Sequence, residues 1–516
     1  MPLSTEIHTE NQHSTNEILD PRNLPEIAFQ SYEMLENNFI AVRQDFLAGK
    51  FRNPRFEHPK LKTAILDMDN GIEALAQAKA DIASVEPDED RRSVIVTTID
   101  YRIAEMEYVK LLSKLDYLVH EKQDNDEVFN LVVQAKETSE HLYGEVDLDI
   151  VDMCLNSVWG NLDSKQYRGK ARQLYDDLHN GFTMAEGYEI SPMRRSDKPD
   201  LELPKFGEAV KWAGEYFLEK NSDIFALAQT FWEQKVAEKG ESYRCSSEDM
   251  VEFLKDVISM RDPENLAGIA VKTKAKSETL SWNTADMALY VGSSFANRAI
   301  PIDNPIILAT RTLHEFGHHA QAAINGLKTG LPVLATGLYT ATHDPDYLSF
   351  EEGFASVIES AIDGNQPELD GGGLDYYLDI AFAAEGDDYR TVFEKSWRYI
   401  LLKGLSEDQD VTDEMIDEAQ RKAYMRCARV FRGTPTEIGD KLGVVPTFNK
   451  DLAYIHGKLK ALQYLEMAYK KQNTAYLDLA LLTKSDLTNP VQFAVSVNAC
   501  SRAGMFDRSL IDENIE

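Results

Sequence analysis

The sequence predicts an α+β protein that is predominantly helical, with a small sheet beside one helix that carries metal-binding side chains. Apolar residues recur at helical spacing through most of the chain, and two short strand-like runs stand near its middle. The segment His-Glu-Phe-Gly-His-His follows them at residues 314–319. The chain has 516 residues, of which 43% are hydrophobic, so we expect two or three globular domains.

The N-terminal part of the chain is predicted to form a helical region of its own. Residues 1–22 are polar and are predicted to be a disordered tail. Helices are predicted over residues 24–48, 58–84 and 86–122. The stretch 181–205 contains three X-Pro pairs and is predicted to connect two domains. We therefore expect a helical region at 23–200 and a second domain at 201–516, in which helices dominate again from 349 to 510.

The histidine segment lies on a predicted helix that follows two predicted strands. The helix is expected to begin at Pro305, after Asn304 as its cap, and to stop near Gly326. The strands are predicted over residues 267–273 and 286–291. A sheet edge beside a metal helix can hold an extended peptide by backbone pairing, so these strands are candidates for that edge.

Either of two histidines, His318 or His319, could bind a metal ion together with His314. His314 and His318 are roughly 40° apart around a regular helix, so they share a face, with Glu315 beside the first. His314 and His319 are roughly 140° apart, a spacing that needs a local widening of the helix. A His-Glu pair followed by a second histidine about one helical turn later can bind zinc through the two histidines, and the glutamate can act as a general base. Geometry alone favours His318.

A later segment supplies the third expected ligand. Glu352 lies 33 residues after His319 and begins a predicted helix. Glu359 follows two turns later on the same face, where it could orient a ligating histidine from behind. Glu351 is expected to be solvated, and Gly353 is expected to let this helix approach the metal helix closely.

Several sequence blocks together resemble a known peptidase family. The blocks are His-Glu-Phe-Gly-His-His, Asn325-Gly326, Gly337-Leu338, Glu-Glu-Gly-Phe-Ala at 351–355, Val-Phe-Arg-Gly at 430–433 and residues 448–457. In this order, over about residues 265–465, they are similar to the microtubule-associated tyrosine carboxypeptidases and their bacterial relatives with a Gln-Glu-Gly-Leu-Ala motif. The chain departs from the family at that motif and in a longer loop at 341–347.

The resemblance implies a zincin-like zinc peptidase with a different second ligand from the one that helix geometry favours. Aligned on the Asn-Gly block, the family places zinc on His314, His319 and Glu352, with Glu315 as the base. His318 then stands at the family's Thr and remains the alternative ligand. The implied reaction is removal of C-terminal residues from peptides or proteins by water that zinc and Glu315 activate.

A carboxypeptidase also needs a cation for the C-terminal carboxylate of its substrate. Arg432 and Lys450 lie in family blocks and are the leading candidates. Nearby basic residues are Arg421, Lys422, Arg426 and Arg429. For Arg421 and Lys422 a solvated helix face with salt bridges is at least as well supported by the pattern.

Four further polar residues stand close to the implied site in sequence. Tyr454 and His456 could donate to an oxyanion, although structural packing is the better interpretation of each. Tyr339 and His343 precede Glu352 and could line a substrate pocket.

Charge and composition limit the possible partners. The net charge of −33 disfavours nucleic acid, anionic membranes and acidic peptides. No apolar run is long enough for a membrane helix, and the N-terminus has no signal pattern. The four cysteines have no paired spacing, which is typical of a cytoplasmic protein. They are Cys154, Cys245, Cys427 and Cys500.

Two other functions are compatible with the sequence. One is a zinc endopeptidase or aminopeptidase that uses His314 and His318. The other is a non-catalytic regulatory protein on a zincin scaffold, against which the intact set of metal-binding residues argues.

Overall fold

A computed structural model of the chain describes residues 61–511. It omits the segments 121–125, 296–301, 339–345, 364–371, 407–408 and 432–444, and positions 186, 206, 276, 278 and 332. The predicted tail at 1–22 and the predicted helix at 24–48 lie outside the described residues, as do Tyr339, His343 and Arg432.

The described part of the chain is predominantly helical with two small sheets, as the predicted fold class required. The first half contains α1 (Leu61–Val85), α2 (Glu89–His120), α3 (Asp126–Tyr143), α4 (Leu148–Asp163), α5 (Gly169–Asn180), the hairpin strands β1 (Phe182–Thr183) and β2 (Glu189–Ile190), α6 (Glu208–Lys220), α7 (Ser222–Lys239) and α8 (Ser247–Arg261). Helices α1 and α2 match those predicted over 58–84 and 86–122.

The second half contains the three-stranded sheet and the histidine segment. Its elements are β3 (Ala270–Lys274), β4 (Leu280–Asn283), β5 (Ala288–Gly292), α9 (Pro305–Thr312), a π-helix (Leu313–Ala320), α10 (Gln321–Lys328), α11 (Val333–Thr336), α12 (Asp346–Asp363), α13 (Gly372–Ala384), α14 (Tyr389–Gly404), α15 (Asp413–Val430), a 3₁₀ turn (Asn449–Leu452), α16 (Ala453–Lys470), α17 (Ala475–Leu479), α18 (Pro490–Arg502) and a 3₁₀ turn (Arg508–Leu510). None of the described helices combines the length and apolar character needed to cross a membrane.

The three-stranded sheet has the order β3-β5-β4. Strands β3 and β5, which the sequence predicted, pair in parallel, and β4 pairs antiparallel to β5. The short β4 was not predicted because its four residues, Leu-Ser-Trp-Asn, give too little alternation to distinguish a strand from a loop. This edge strand is the one that bonds to the π-helix, through the backbone of Trp282.

Shared hydrophobic clusters join the N-terminal helices to the later part of the chain. One cluster combines α1 and α2 with α11 and α18. Another combines α4 and α5 with α13, α14 and α15. The ring of Phe448 also stacks on Tyr108 of α2 at 5.8 Å. Residues on both sides of position 200 therefore contribute to the same cores, and the division into two regions stays a prediction.

Helices α12 and α16 cross at a contact between two glycines. A Cβ on Gly353 would lie 2.0 Å from the carbonyl of Gly457, and a Cβ on Gly457 would lie 1.7 Å from the Ser349 oxygen. The missing side chain of Gly353 therefore makes room for α16, whereas the expected neighbour was the metal helix. This crossing fixes the position of the neighbouring Glu352.

The helix ends close to the predicted stop, but Gly326 has a different role from the expected one. The helix continues to Lys328, and Gly326 packs against α11, where a Cβ would lie 2.4 Å from the Leu334 carbonyl oxygen. Gly326 is thus explained by the close approach of two backbones and not by a helix terminus.

Candidate metal centre

The histidine segment lies on a widened stretch of helix. Asn304 caps α9 by accepting a hydrogen bond from the backbone N–H of Ile307 at 2.9 Å. The helix then passes into the π-helix Leu313–Ala320. A π-helix bonds residues five apart, so His314 and His319 come onto one face, with ring centroids 4.9 Å apart. The local widening on which the His319 assignment depended is present.

Three potential ligand groups converge at this face. One nitrogen each of His314 and His319 and one carboxylate oxygen of Glu352 lie within 4.8 Å of one another. His314 Nε2 is 3.9 Å from Glu352 Oε2. Two ligand atoms of tetrahedral zinc are about 3.4 Å apart if each bond is about 2.1 Å, so a small contraction would bring the set to ligation distance.

Both histidines already use their other ring nitrogen. His314 Nδ1 lies 3.2 Å from Glu359 Oε2, and His319 Nδ1 lies 2.7 Å from Glu351 Oε1. Because a carboxylate only accepts hydrogen bonds, each Nδ1 carries a proton, and Nε2 is the ring nitrogen left to face a metal. Carboxylates that orient ligating imidazoles in this way are typical of metal sites. The position predicted for Glu359, behind a candidate ligand, is the one it occupies.

Glu359 is held in turn by a guanidinium group. Arg311 donates from Nη1 to Glu359 Oε2 at 3.0 Å, and its Nε lies 2.9 Å from Oε1. Arg311 stands one turn before His314 on the same helix. This helix therefore supplies both the His314 imidazole and the guanidinium group that holds Glu359, the carboxylate partner of His314.

His318 has a different environment. Its Nε2 lies 3.1 Å from the carbonyl oxygen of Glu351, which can only accept, and its Nδ1 has no hydrogen-bond partner among the described residues. Its ring packs on Phe354 at 5.6 Å, and burial lowers the pKa of His318 to about 3. Possible ligand atoms of a second group, His318, His319 and Glu351, also lie within 4.8 Å of one another. In that group, however, His318 Nε2 and the Glu351 carboxylate already have hydrogen-bond partners.

Glu351 is buried, so the expectation that it is solvated is wrong. Only 4% of the residue is exposed, and its Oε1 accepts from His319 Nδ1 and forms a salt bridge of 2.8 Å with Lys484 Nζ. Burial alone would raise its pKa, but Lys484 and His319 outweigh this and hold the pKa of Glu351 well below its usual range. Burial alone would lower the pKa of His319, whereas the Glu351 carboxylate raises it to about 9.

Glu315 stands beside the three converging groups. Its Oε2 accepts a hydrogen bond of 2.9 Å from the backbone N–H of Trp282 on β4. Burial raises the pKa of Glu315, and the nearby Glu352 carboxylate adds to this effect, while His319 and His314 oppose it. A half-buried carboxylate with a raised pKa next to a possible metal position is suited to accept and return a proton.

The basic residues of α15 have divergent surroundings. Arg421 and Lys422 form salt bridges with Glu418 on the helix surface, as the sequence allowed. Arg426 is buried in ion pairs with Asp375 and Asp379. These three side chains are therefore engaged in structural contacts.

Arg429 contacts Tyr454, whose pKa is influenced by the candidate ligand Glu352. Its Nη2 donates to Asp451 at 2.7 Å and to the hydroxyl of Tyr454 at 2.8 Å, and its side chain is 35% exposed. Arg429 lowers the pKa of Tyr454, but burial and the Glu352 carboxylate outweigh it and raise the pKa to about 12. Tyr454 is thus a protonated phenol whose hydroxyl accepts a hydrogen bond from Arg429.

The remaining predicted residues of this region have separate positions. Lys450 is half-buried on the 3₁₀ turn Asn449–Leu452. His456 packs edge-on against Tyr377 and lies within hydrogen-bond distance of its hydroxyl at 3.2 Å, so the packing interpretation fits it.

Four residues of the centre were missed by sequence reasoning. Glu351 sits beside the predicted ligand, and its acidity suggested solvent. Arg311 stands three residues before His314, a helical spacing that could have indicated it. The other two are Trp282 and Lys484, which lie in short or irregular segments with no pattern to distinguish them.

These contacts define a buried His/Glu cluster that could hold a metal ion. Neither the scan against protein-family models nor the searches of curated proteins and solved structures found a match to this chain. The chemistry of the cluster itself is therefore the basis for assigning a function.

Proposed function

We propose that the chain is a zinc-dependent carboxypeptidase of zincin-like architecture. The observation that carries this proposal is the paired arrangement of His314 and His319. Each imidazole donates a hydrogen bond from Nδ1 to a buried carboxylate and directs Nε2 to a metal position near Glu352. Two imidazoles and one carboxylate, with a fourth position open, are the ligand set of catalytic zinc.

Glu315 is the proposed general base. Zinc bound by the three groups would polarise a scissile carbonyl and make a water molecule acidic near neutral pH. Glu315 takes the proton of the attacking water and later passes it to the leaving amine. The backbone N–H of Trp282 keeps the Glu315 carboxylate oriented during this exchange.

The position of β4 supports binding of an extended substrate. Trp282 sends its N–H away from β5 to Glu315, so the outer edge of β4 runs past the proposed base. A peptide that paired with this edge would place its backbone beside Glu315. We assign the substrate edge to β4 instead of the two strands named from the sequence.

Removal of C-terminal residues is supported by two considerations. The sequence blocks resemble those of the tyrosine carboxypeptidases, and Arg429 is hydrogen-bonded to Tyr454, whose pKa the Glu352 carboxylate raises. Arg429, joined to Tyr454, becomes a candidate for the substrate carboxylate beside the predicted Arg432 and Lys450. Tyr454 can donate to an oxyanion because its raised pKa keeps it protonated.

The test compares peptides that differ only at the C-terminus. Purified protein loaded with zinc is incubated with an N-terminally blocked peptide that has either a free carboxylate or a C-terminal amide, and products are identified by mass spectrometry. We expect stepwise loss of residues from the free carboxylate form and little from the amide. Glu315→Gln should lower kcat/KM by roughly 10²–10⁴-fold while zinc remains bound.

The control is Glu264→Gln, which removes a carboxylate that is exposed outside the centre and should leave kcat/KM unchanged. Cleavage of internal bonds with intact C-termini would replace the proposal with an endopeptidase. Absence of zinc binding by the wild-type protein would favour a non-catalytic binding protein.

A further inference from the structure

The turn formed by residues 483–486 is held rigidly next to the candidate centre. The backbone N–H of Lys484 donates to the Leu334 carbonyl at 2.8 Å, and its carbonyl accepts from the N–H of Leu338 at 3.0 Å. The hydroxyls of Thr483 and Ser485 are buried and 2.8 Å apart, and both lie within hydrogen-bond distance of Ser496. This network fixes the backbone from which the Lys484 side chain starts.

The Lys484 side chain extends from this turn to Glu351. Its Nζ lies 2.8 Å from Glu351 Oε1, the oxygen that also accepts the Nδ1 hydrogen of His319. The side chains of Lys484 and Glu351 are only 10% and 5% exposed. Lys484, Glu351 and His319 therefore form a continuous buried chain that ends at the ring nitrogen facing the metal position.

We propose that Lys484 is a positioning residue of the metal centre, an inference that rests on the proposed function of the His314, His319 and Glu352 set. By pairing with Glu351, Lys484 holds the carboxylate where it fixes the ring plane of His319 and directs Nε2 to the metal. An unpaired carboxylate in the same buried place would be costly and would turn towards other donors. Lys484 acts through Glu351 and does not contact substrate.

A neighbouring ion pair supplies a matched control. Lys460 pairs with Asp486 of the same turn, and both side chains are largely buried. This pair does not include Glu351 or a candidate ligand. Loss of Lys460 therefore removes a largely buried ion pair of the same turn and leaves the partner of Glu351 in place.

The experiment measures zinc affinity of the full chain by competition with a chelator. We expect Lys484→Met to weaken zinc binding by roughly 10–100-fold, as removal of such supporting partners does. Lys460→Met should stay within about threefold of wild type on the same measure. At saturating zinc, Lys484→Met should retain the wild-type KM, because the substrate contacts are unchanged.

A double variant separates positioning from general destabilisation. Glu351→Gln keeps an oxygen that accepts from His319 but removes the buried charge that needs Lys484. Lys484→Met combined with Glu351→Gln should therefore recover most of the lost zinc affinity, and it also keeps the test possible if Lys484→Met alone does not fold.

Two results would overturn the inference. One is a folded Lys484→Met protein that binds zinc as tightly as wild type, and the other is a double variant that binds no better than Lys484→Met. Both leave the proposed function intact, whereas a wild-type chain that binds no zinc removes the proposed function as well.

Discussion

His318 and His319 are neighbours in sequence, but they face different partners. His319 directs Nδ1 to a carboxylate, while His318 directs Nε2 to a backbone carbonyl. In a regular helix His318, and not His319, would lie on the same face as His314, since positions four apart share a face. The π-helix is the physical reason why the assignment from helix geometry and the assignment from the family resemblance diverge.

Single substitutions at the two positions distinguish these assignments. His319→Ala should weaken zinc binding by more than the roughly 10–100-fold expected for loss of a supporting partner, because it removes a ligand itself. His318→Ala should leave zinc affinity within about threefold of wild type and should mainly reduce packing against Phe354. Chelator competition at fixed pH gives both values. The reverse order of effects would assign the metal to His318.

The ion pair between His319 and Glu351 predicts a pH dependence of the metal-free protein. The pKa of His319 is raised from its usual 6.5 to about 9, so the pair stabilises the fold fully below pH 6.5. This contribution, about 3 kcal/mol at most, disappears as the pH rises through 9. Urea unfolding in EDTA should show the difference between wild type and His319→Gln shrinking over this range. A constant difference would contradict the pairing.

At the scale of elements, long patterns were predictable and short ones were not. Helices α1 and α2 follow from apolar periodicity, and the strands β3 and β5 and the helix that carries Glu352 were also expected near their observed positions. The strand β4 and the turn 483–486 have too few residues for a pattern, yet they supply Trp282 and Lys484. Burial of Glu351 depends on partners from a distant turn, so no local rule could indicate it.

The contact between α12 and α16 predicts a strong effect of one methyl group. Gly353→Ala would place a Cβ 2.0 Å from the Gly457 backbone, which must push the helices apart and displace Glu352. We expect a loss of about 3 kcal/mol or more in unfolding free energy, together with weaker zinc binding. Thermal unfolding and chelator competition measure the two effects.

The control for this variant is Gly160→Ala in α4. A Cβ at Gly160 would meet nothing within 4 Å, so the change should be neutral or stabilise the helix by up to about 1 kcal/mol. Equal destabilisation by the two alanines would mean that the close helix crossing is not what requires glycine at position 353.

Across the whole molecule, acidic residues exceed basic ones by 87 to 54. Near the candidate centre, Arg311, Lys484 and Arg429 each pair with one buried carboxylate. A surface of this charge repels acidic peptides over about 8–10 Å at physiological salt. Neutral or basic C-termini are therefore the better substrates for the proposed activity.

The centre is assembled from segments that leave the ribosome at very different times. The strand with Trp282 is synthesised first, the helix with Glu315 and then Glu351 and Glu352 follow, and the turn with Lys484 comes last of these segments. Contacts so distant in sequence form late in folding. A nascent chain that already carries its histidines therefore lacks one part of their support until the turn with Lys484 has been synthesised.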